Sequence, residues 1–221
     1  MPPEHDTTGD WRVIDEWDSG AGWIACPDET MQRASHVLDG PEGQWLLDPV
    51  DCDGLDQWLA DRGSVRGVAL LLDRHTRDAA TIARRHDVSV HVPEFIDVDP
   101  DAPVETMGHG LPDSAYGVHE LVDNRFWEEA ALYAEESETL VVPEAVGTAS
   151  FFRTRAERLG VHPMLRLNPP RTLEQLRPQR VLVGHGTGVF EDAARALADA
   201  LSGSRRRAPR LYAKTARELL S

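Results

Sequence analysis

Three short apolar segments, each breaking off into a polar turn, set the limits on what this chain can fold into. Leu70-Leu71-Leu72 runs into Asp73-Arg74-His75-Thr76-Arg77-Asp78-Ala79, Leu140-Val141-Val142 into Pro143-Glu144-Ala145-Val146-Gly147, and Val181-Leu182-Val183 into Gly184-His185-Gly186-Thr187-Gly188. Apolar runs without polar alternation mark strands buried on both faces. Such strands need cover on both sides of their sheet, and ligands of open α/β sheets gather where the strands end. The three turns are therefore the natural places for chemistry.

The rest of the chain supplies the cover. Residues 11–17, 22–26, 35–38 and 44–48 read as an antiparallel meander, and Asp39-Gly40-Pro41-Glu42-Gly43 reads as a hairpin loop. Helical spacing follows at 55–62, ended by Gly63, and again at 78–86. With strands at 65–72 and 88–92, the second helix makes a strand–helix–strand crossover. Residues 94–117 read as loops with short strands, and 116–122 as a further strand. Residues 128–134 fit either a helix or the first arm of a hairpin. Helices are expected at 148–159, 188–201 and 209–220, the last two separated by a flexible hinge at 202–207. This order of elements fits two sheets with helices outside them.

Charge excludes several classes of partner. The net charge is −15, and all but one of the 23 basic residues are Arg, Lys214 being the exception. Such a surface repels phosphate backbones and anionic lipid, so neither nucleic acid nor membrane is an expected partner. An Asp-rich, nearly Lys-free composition resembles proteins of salt-loving archaea, where molar salt shrinks the Debye length to roughly 3 Å. No apolar run reaches the roughly 18 residues of a membrane helix. The polar start Met1-Pro2-Pro3-Glu4 lacks the basic and apolar regions of a secretory signal, so a cytoplasmic location is expected. Cys26 and Cys52 are too few for a disulfide framework or a four-cysteine zinc site.

The ordered set of strand ends resembles the metallo-β-lactamase fold family. In that family a meander ends in a strand like Trp45-Leu46-Leu47-Asp48-Pro49. An apolar strand then enters the motif T-H-x-H-x-D-H, a later one ends in G-D, and a last one ends in G-H-G, here Gly184-His185-Gly186. The resemblance spans about residues 20–200. It implies an α/β fold, a metallo-β-lactamase-like αβ/βα sandwich of two mixed sheets flanked by helices. That domain would occupy residues 11–204, with 1–10 as a loose tail and 205–221 as a C-terminal helix packed on it.

The departures from the motif bear on function. Laid on residues 74–79, it puts Arg74 and Thr76 at the two leading His positions, Asp78 at the Asp position and Ala79 at the last His. A guanidinium has no lone pair to offer a metal. The resemblance thus implies that the two-zinc centre is lost and leaves Asp78, Glu144 and His185 as metal-ligand candidates. His75 is expected to point to the opposite side, although it and His119 remain additional candidates, with His109 beside them. The ordinary readings are Asp78 as a helix N-cap, Glu144 as a solvated loop residue and His185 as a structural histidine.

Three functions remain open. The chain is a relative without dinuclear zinc hydrolase activity, holding no cofactor or a single zinc or similar divalent metal, with a small molecule as partner. Alternatively it is a single-metal hydrolase of an ester, lactone or thioester. A third reading is a structural or interaction protein, its clustered Trp11, Trp17 and Trp23 facing a partner.

Overall fold

A computed structural model describes residues 11–219. The expected tail at 1–10 lies outside them. The meander forms as read: β1 (Arg12–Trp17), β2 (Gly20–Ile24), β3 (Ala34–Gly40) and β4 (Gly43–Leu47) pair antiparallel in succession. The β3–β4 turn is cut to Pro41 and Glu42. Helix α1 (Leu55–Ala60), β5 (Val65–Ala69), α2 (Ala79–His86), β6 (Val90–Pro93) and β7 (Val104–Met107) follow. Strands β4 to β7 pair in parallel and complete a seven-stranded mixed sheet in the order β1 to β7. The second sheet holds β8 (Tyr116–Asn124), β9 (Trp127–Ala134), β10 (Thr139–Val142) and β13 (Arg180–Val183) in the order β13-β10-β9-β8. A short ribbon, β11 (Val146–Gly147) with β12 (Gly160–Val161), lies between them in sequence, and α3 (Ala193–Leu219) closes the described chain.

Side-chain alternation shows how the layers stack. On β9, Ala130, Leu132 and Ala134 join the cluster that contains the first sheet, α1 and α2, whereas Ala131 joins the cluster around α3. On β13, Leu182 faces the first sheet, and Val181 and Val183 face Ala193, Leu197 and Ala200 of α3. A period of two with both faces buried is the signature of a central sheet. The architecture is therefore two mixed sheets packed together, with α1 and α2 against the first and α3 against the second.

Of the two alternatives for residues 128–134, the structure takes the hairpin arm, as β9. Three local expectations change. Residues 148–159 form a single turn of 3₁₀ helix, Ser150–Phe152, within a loop. There the Glu157 carboxylate accepts the Thr154 N–H and hydroxyl and pairs with fully buried Arg166, so side-chain hydrogen bonds outcompete the helix ladder. The last helix starts at Ala193 rather than 188, because Val189 instead exchanges two backbone hydrogen bonds with Val181. It then runs unbroken through 202–207, where a hinge was expected. Ala200, Ser204, Ala208 and Leu211 form one buried stripe at helical spacing, which holds the polar run and Pro209 in the helix.

Candidate metal centre

The carboxyl ends of β4, β5, β10 and β13 open at one place, where the two sheets are stitched together. The Ala34 N–H donates to the Gly184 carbonyl, and Leu72 bridges to Glu129. Gly184 is required there, since a Cβ would lie 2.2 Å from the Pro143 carbonyl oxygen. The tight exit from β13 continues through Gly186, at φ +93°, where glycine has no Cβ to clash.

These strand ends bring His75, Glu144 and His185 together, all buried, with one ligand atom of each within 4.8 Å of the others. The Nε2 atoms of His75 and His185 are 3.3 Å apart. Both rings are held from behind. His75 Nδ1 is 3.3 Å from the buried Asp48 carboxylate, and His185 Nδ1 is 3.0 Å from the Met31 carbonyl oxygen. The Met31 carbonyl can only accept, and so can the Asp48 carboxylate once ionised, above the pKa of about 6 to which burial raises it. Each Nδ1 therefore carries the proton, and both Nε2 lone pairs face into the site. Burial first, then neighbouring positive charge, keeps both imidazoles neutral, with pKa values well below the ordinary histidine range.

Glu144 enters from the end of β10. Its main-chain N–H and that of Ala145 donate to Glu129 Oε1 at 2.8 and 2.7 Å, and Glu129 Oε2 accepts the Trp127 indole N–H. Burial pushes the Glu129 carboxyl up to about 8 against these three donors. Burial likewise raises the Glu144 pKa, with Arg74 and Arg77 opposing it. Glu144 Oε2 is buried without a hydrogen-bond partner among the described residues. Its other oxygen lies 3.7 Å from His162 Nε2. His162 was not singled out in the sequence. Its Nδ1 accepts the Met164 N–H, so its Nε2 bears the proton and faces the carboxylate.

Two arginines frame the cluster. Arg77 donates to the carbonyls of Ala34 and Asp48, both at 2.8 Å, and to Gly184 at 3.2 Å, and its Nη2 lies 3.3 Å from His75 Nε2. Arg74 lies at the outer edge. Its guanidinium is 4.2 Å from the Trp127 ring centroid, donates to the Phe126 carbonyl and stands 3.9 Å from Glu144.

The motif register read from sequence is off by one residue. His75 turns inward rather than away. The residue that takes the next inward position is Arg77, whose φ of +40° breaks the alternation through the turn. Arg74 and Thr76 are exposed, and Ala79 is the buried first residue of α2. Asp78 is not brought to the cluster. It caps α2 by position without a side-chain cap bond, and its carboxylate accepts the Asp51 N–H at 2.9 Å. His119 lies on β8 beside the Tyr133 ring, and His109 is exposed, both apart from the three-residue group. The N-terminal tryptophans pack internally: Trp11 and Trp23 meet Trp58, and Trp17 meets Phe190.

The donor set fits a divalent cation. Tetrahedral ligands about 2.0–2.1 Å from a zinc ion stand about 3.3–3.4 Å apart, the spacing of the two Nε2 atoms. The Glu144 carboxylate supplies a third donor, its Oε2 accepting no hydrogen bond and lying 3.9 Å from Arg74. Asp48 behind His75 and the Met31 carbonyl behind His185 are the outer hydrogen bonds that orient ligating imidazoles.

Comparison with solved structures identifies the architecture. The chain superposes on the DIM-1 metallo-β-lactamase exposed to ceftazidime with a TM-score of 0.61 at 14% identity, covering 89% of this chain and 98% of that one. The metallo-β-lactamase from Pontibacter korlensis gives 0.62 at 11% identity, over 87% and 99% of the two chains. This is the metallo-β-lactamase fold. A third neighbour, solved in a di-iron-bound form, gives 0.55 at 18% identity over 77% of this chain and 93% of that one. No family profile and no curated protein matches the sequence. Fold by itself assigns no activity.

Proposed function

We propose that this metallo-β-lactamase-fold protein lacks a dinuclear hydrolase centre and holds one divalent cation, on His75, Glu144 and His185. The observation that carries this reading is the pair of imidazoles with inward lone pairs 3.3 Å apart beside a buried carboxylate oxygen that accepts no hydrogen bond. Such an arrangement of buried acceptors is costly without a cation or donor between them. A second ion is disfavoured because Arg77 is fixed beside His75 by three carbonyls and brings its own positive charge. When bound, the ion would supply Lewis-acid activation of water or of a carbonyl group. Around it, Asp48 and Met31 hold the imidazole tautomers, Glu129 holds the Glu144 backbone, and His162 presents an N–H to Glu144. With a small-molecule ester, lactone or thioester, these residues would orient the carbonyl for attack by water.

A site without any ion is the rival reading, favoured by Arg77 Nη2, which can itself donate to His75 Nε2. Metal analysis of protein dialysed against zinc separates the readings. One tightly bound equivalent, lost in His185→Ala, is expected. Two equivalents would restore the dinuclear reading, and none would establish the ion-free one.

A further inference from the structure

The loop that covers the imidazoles carries an unusual concentration of positive charge on its other side. Phe152 stacks on the His185 ring, with centroids 5.2 Å apart and planes 26° from parallel, and Phe151 contacts His162 at 5.6 Å. The adjoining sequence, Arg153-Thr154-Arg155-Ala156-Glu157-Arg158, places three arginines within six residues of a chain of net charge −15. Its one acid, Glu157, is buried and committed to Arg166.

Arg153 and Arg158 line a cleft of about 380 Å³ beside Thr148, Thr187 and Phe190. The cleft adjoins the imidazole site through its own backbone, since the Thr148 and Ala149 N–H groups both donate to the His185 carbonyl. Among the described residues, neither arginine pairs with a carboxylate. Arg153 donates only to the Glu157 carbonyl and Arg158 only to that of Glu191. The chain's single lysine, Lys214, donates to the carbonyls of Ser150 and Arg153. The one acidic side chain lining the cleft is Glu191, which is exposed. Several arginines elsewhere are paired with carboxylates, among them Arg62, Arg66, Arg84 and Arg85.

We infer that the Arg153–Arg158 cleft is a binding site for the phosphate group of an organic phosphate monoester, whose apolar part rests on Phe190. Two guanidinium groups that pair with no carboxylate outweigh the single exposed Glu191 of the cleft and match a dianion, and their planar forks suit phosphate oxygens. Phe190 is 37% exposed at the same cleft and offers a ring face. Against a repulsive acidic surface, a cationic cleft also focuses anions to one place. This site does not depend on the proposed metal ion.

The test is calorimetric titration of the full chain in chelator, at the lowest salt that keeps it folded by circular dichroism. The probes are phenyl phosphate, inorganic phosphate and benzoate. Phenyl phosphate should bind saturably, inorganic phosphate more weakly, and benzoate, a monoanion, at least about tenfold more weakly. The double variant Arg153→Gln/Arg158→Gln should weaken phenyl phosphate at least about tenfold. Phe190→Ala should weaken phenyl phosphate and leave inorganic phosphate unchanged. Trp17, 6.3 Å from the Phe190 ring, gives an independent fluorescence signal. Absence of saturable binding, or binding that the double variant leaves intact, overturns the inference. Benzoate binding as tightly as phenyl phosphate overturns the dianion assignment. Chelator removes any bound divalent cation, so these outcomes are independent of the zinc count.

Discussion

Replacing Asp48 by Asn tests whether the inward lone pairs are real. Asp48 Oδ1 accepts the Leu71 N–H at 3.0 Å, and Oδ2 faces His75 Nδ1 at 3.3 Å. Asn suits the backbone, because Asp48 sits at φ +43° and Asn tolerates that region. The buried Leu71 N–H pins the amide oxygen, since leaving it unpaired would cost about 1–3 kcal/mol. The amide NH₂ must then face His75 Nδ1 and force the proton onto Nε2. That proton can be donated across the 3.3 Å to His185 Nε2, so one bond consumes both lone pairs. The Arg77 hydrogen bond to His75 is lost in exchange, while its three carbonyl bonds remain. Folding stability should therefore fall by only about 1–2 kcal/mol. Zinc affinity should fall about 100-fold, the upper end of the range for an outer-shell substitution, because the tautomer itself is inverted. Urea unfolding in chelator and calorimetric zinc titration measure the two effects separately. Zinc affinity within threefold of wild type would refute the tautomer argument, and collapse of the fold would show that Asp48 acts mainly on structure.

Two further outcomes follow from buried charge. Glu129, pushed up to about 8 when folded, is protonated in the native state below that pH and ionised in the unfolded chain above its ordinary pKa. Between pH 8 and 6.5 the Glu129 contribution alone should stabilise the fold by roughly 1–2 kcal/mol on acidification, read as the difference in pH-dependent urea unfolding between wild type and Glu129→Gln. The buried neutral histidines His36, His75, His162 and His185 oppose it towards pH 6.5, where the unfolded chain takes up protons, and cancel in that difference. The second concerns Arg166, fully buried and bonded to Glu157, Phe152 and Val161. Arg166→Met should cost about 3–5 kcal/mol by stranding the Glu157 carboxylate, and adding Glu157→Gln should recover part of that loss. Additive losses in the double variant would show that no such coupling exists.

Much of the architecture is carried by local patterns. The runs at 139–142 and 180–183 coincide with β10 and β13, because an uninterrupted apolar stretch has few alternatives to a doubly covered strand. The meander and the β5–α2–β6 crossover are equally local, set by turn residues and helical spacing. The polar turns after β5, β10 and β13 are likewise visible in the sequence as the place for a site, and Glu144 and His185 stand in them.

Which side chains enter that site was decided in three dimensions. Face alternation cannot be counted through a turn that holds Arg77 at positive φ, so His75 and Arg74 exchange the sides assigned to them. The exchange is fixed from outside the motif, by the Asp48 carboxylate behind His75 and by the Trp127 ring and Phe126 carbonyl that hold Arg74 at the rim. His162 carried no sequence signal at all. It reaches Glu144 only because the β11–β12 ribbon folds back, where its ring meets Trp127 edge to face. Strand and helix are dictated by the chemistry of neighbours in sequence, whereas the donor set of a site depends on partners more than 100 residues apart, as His75 and His185 are.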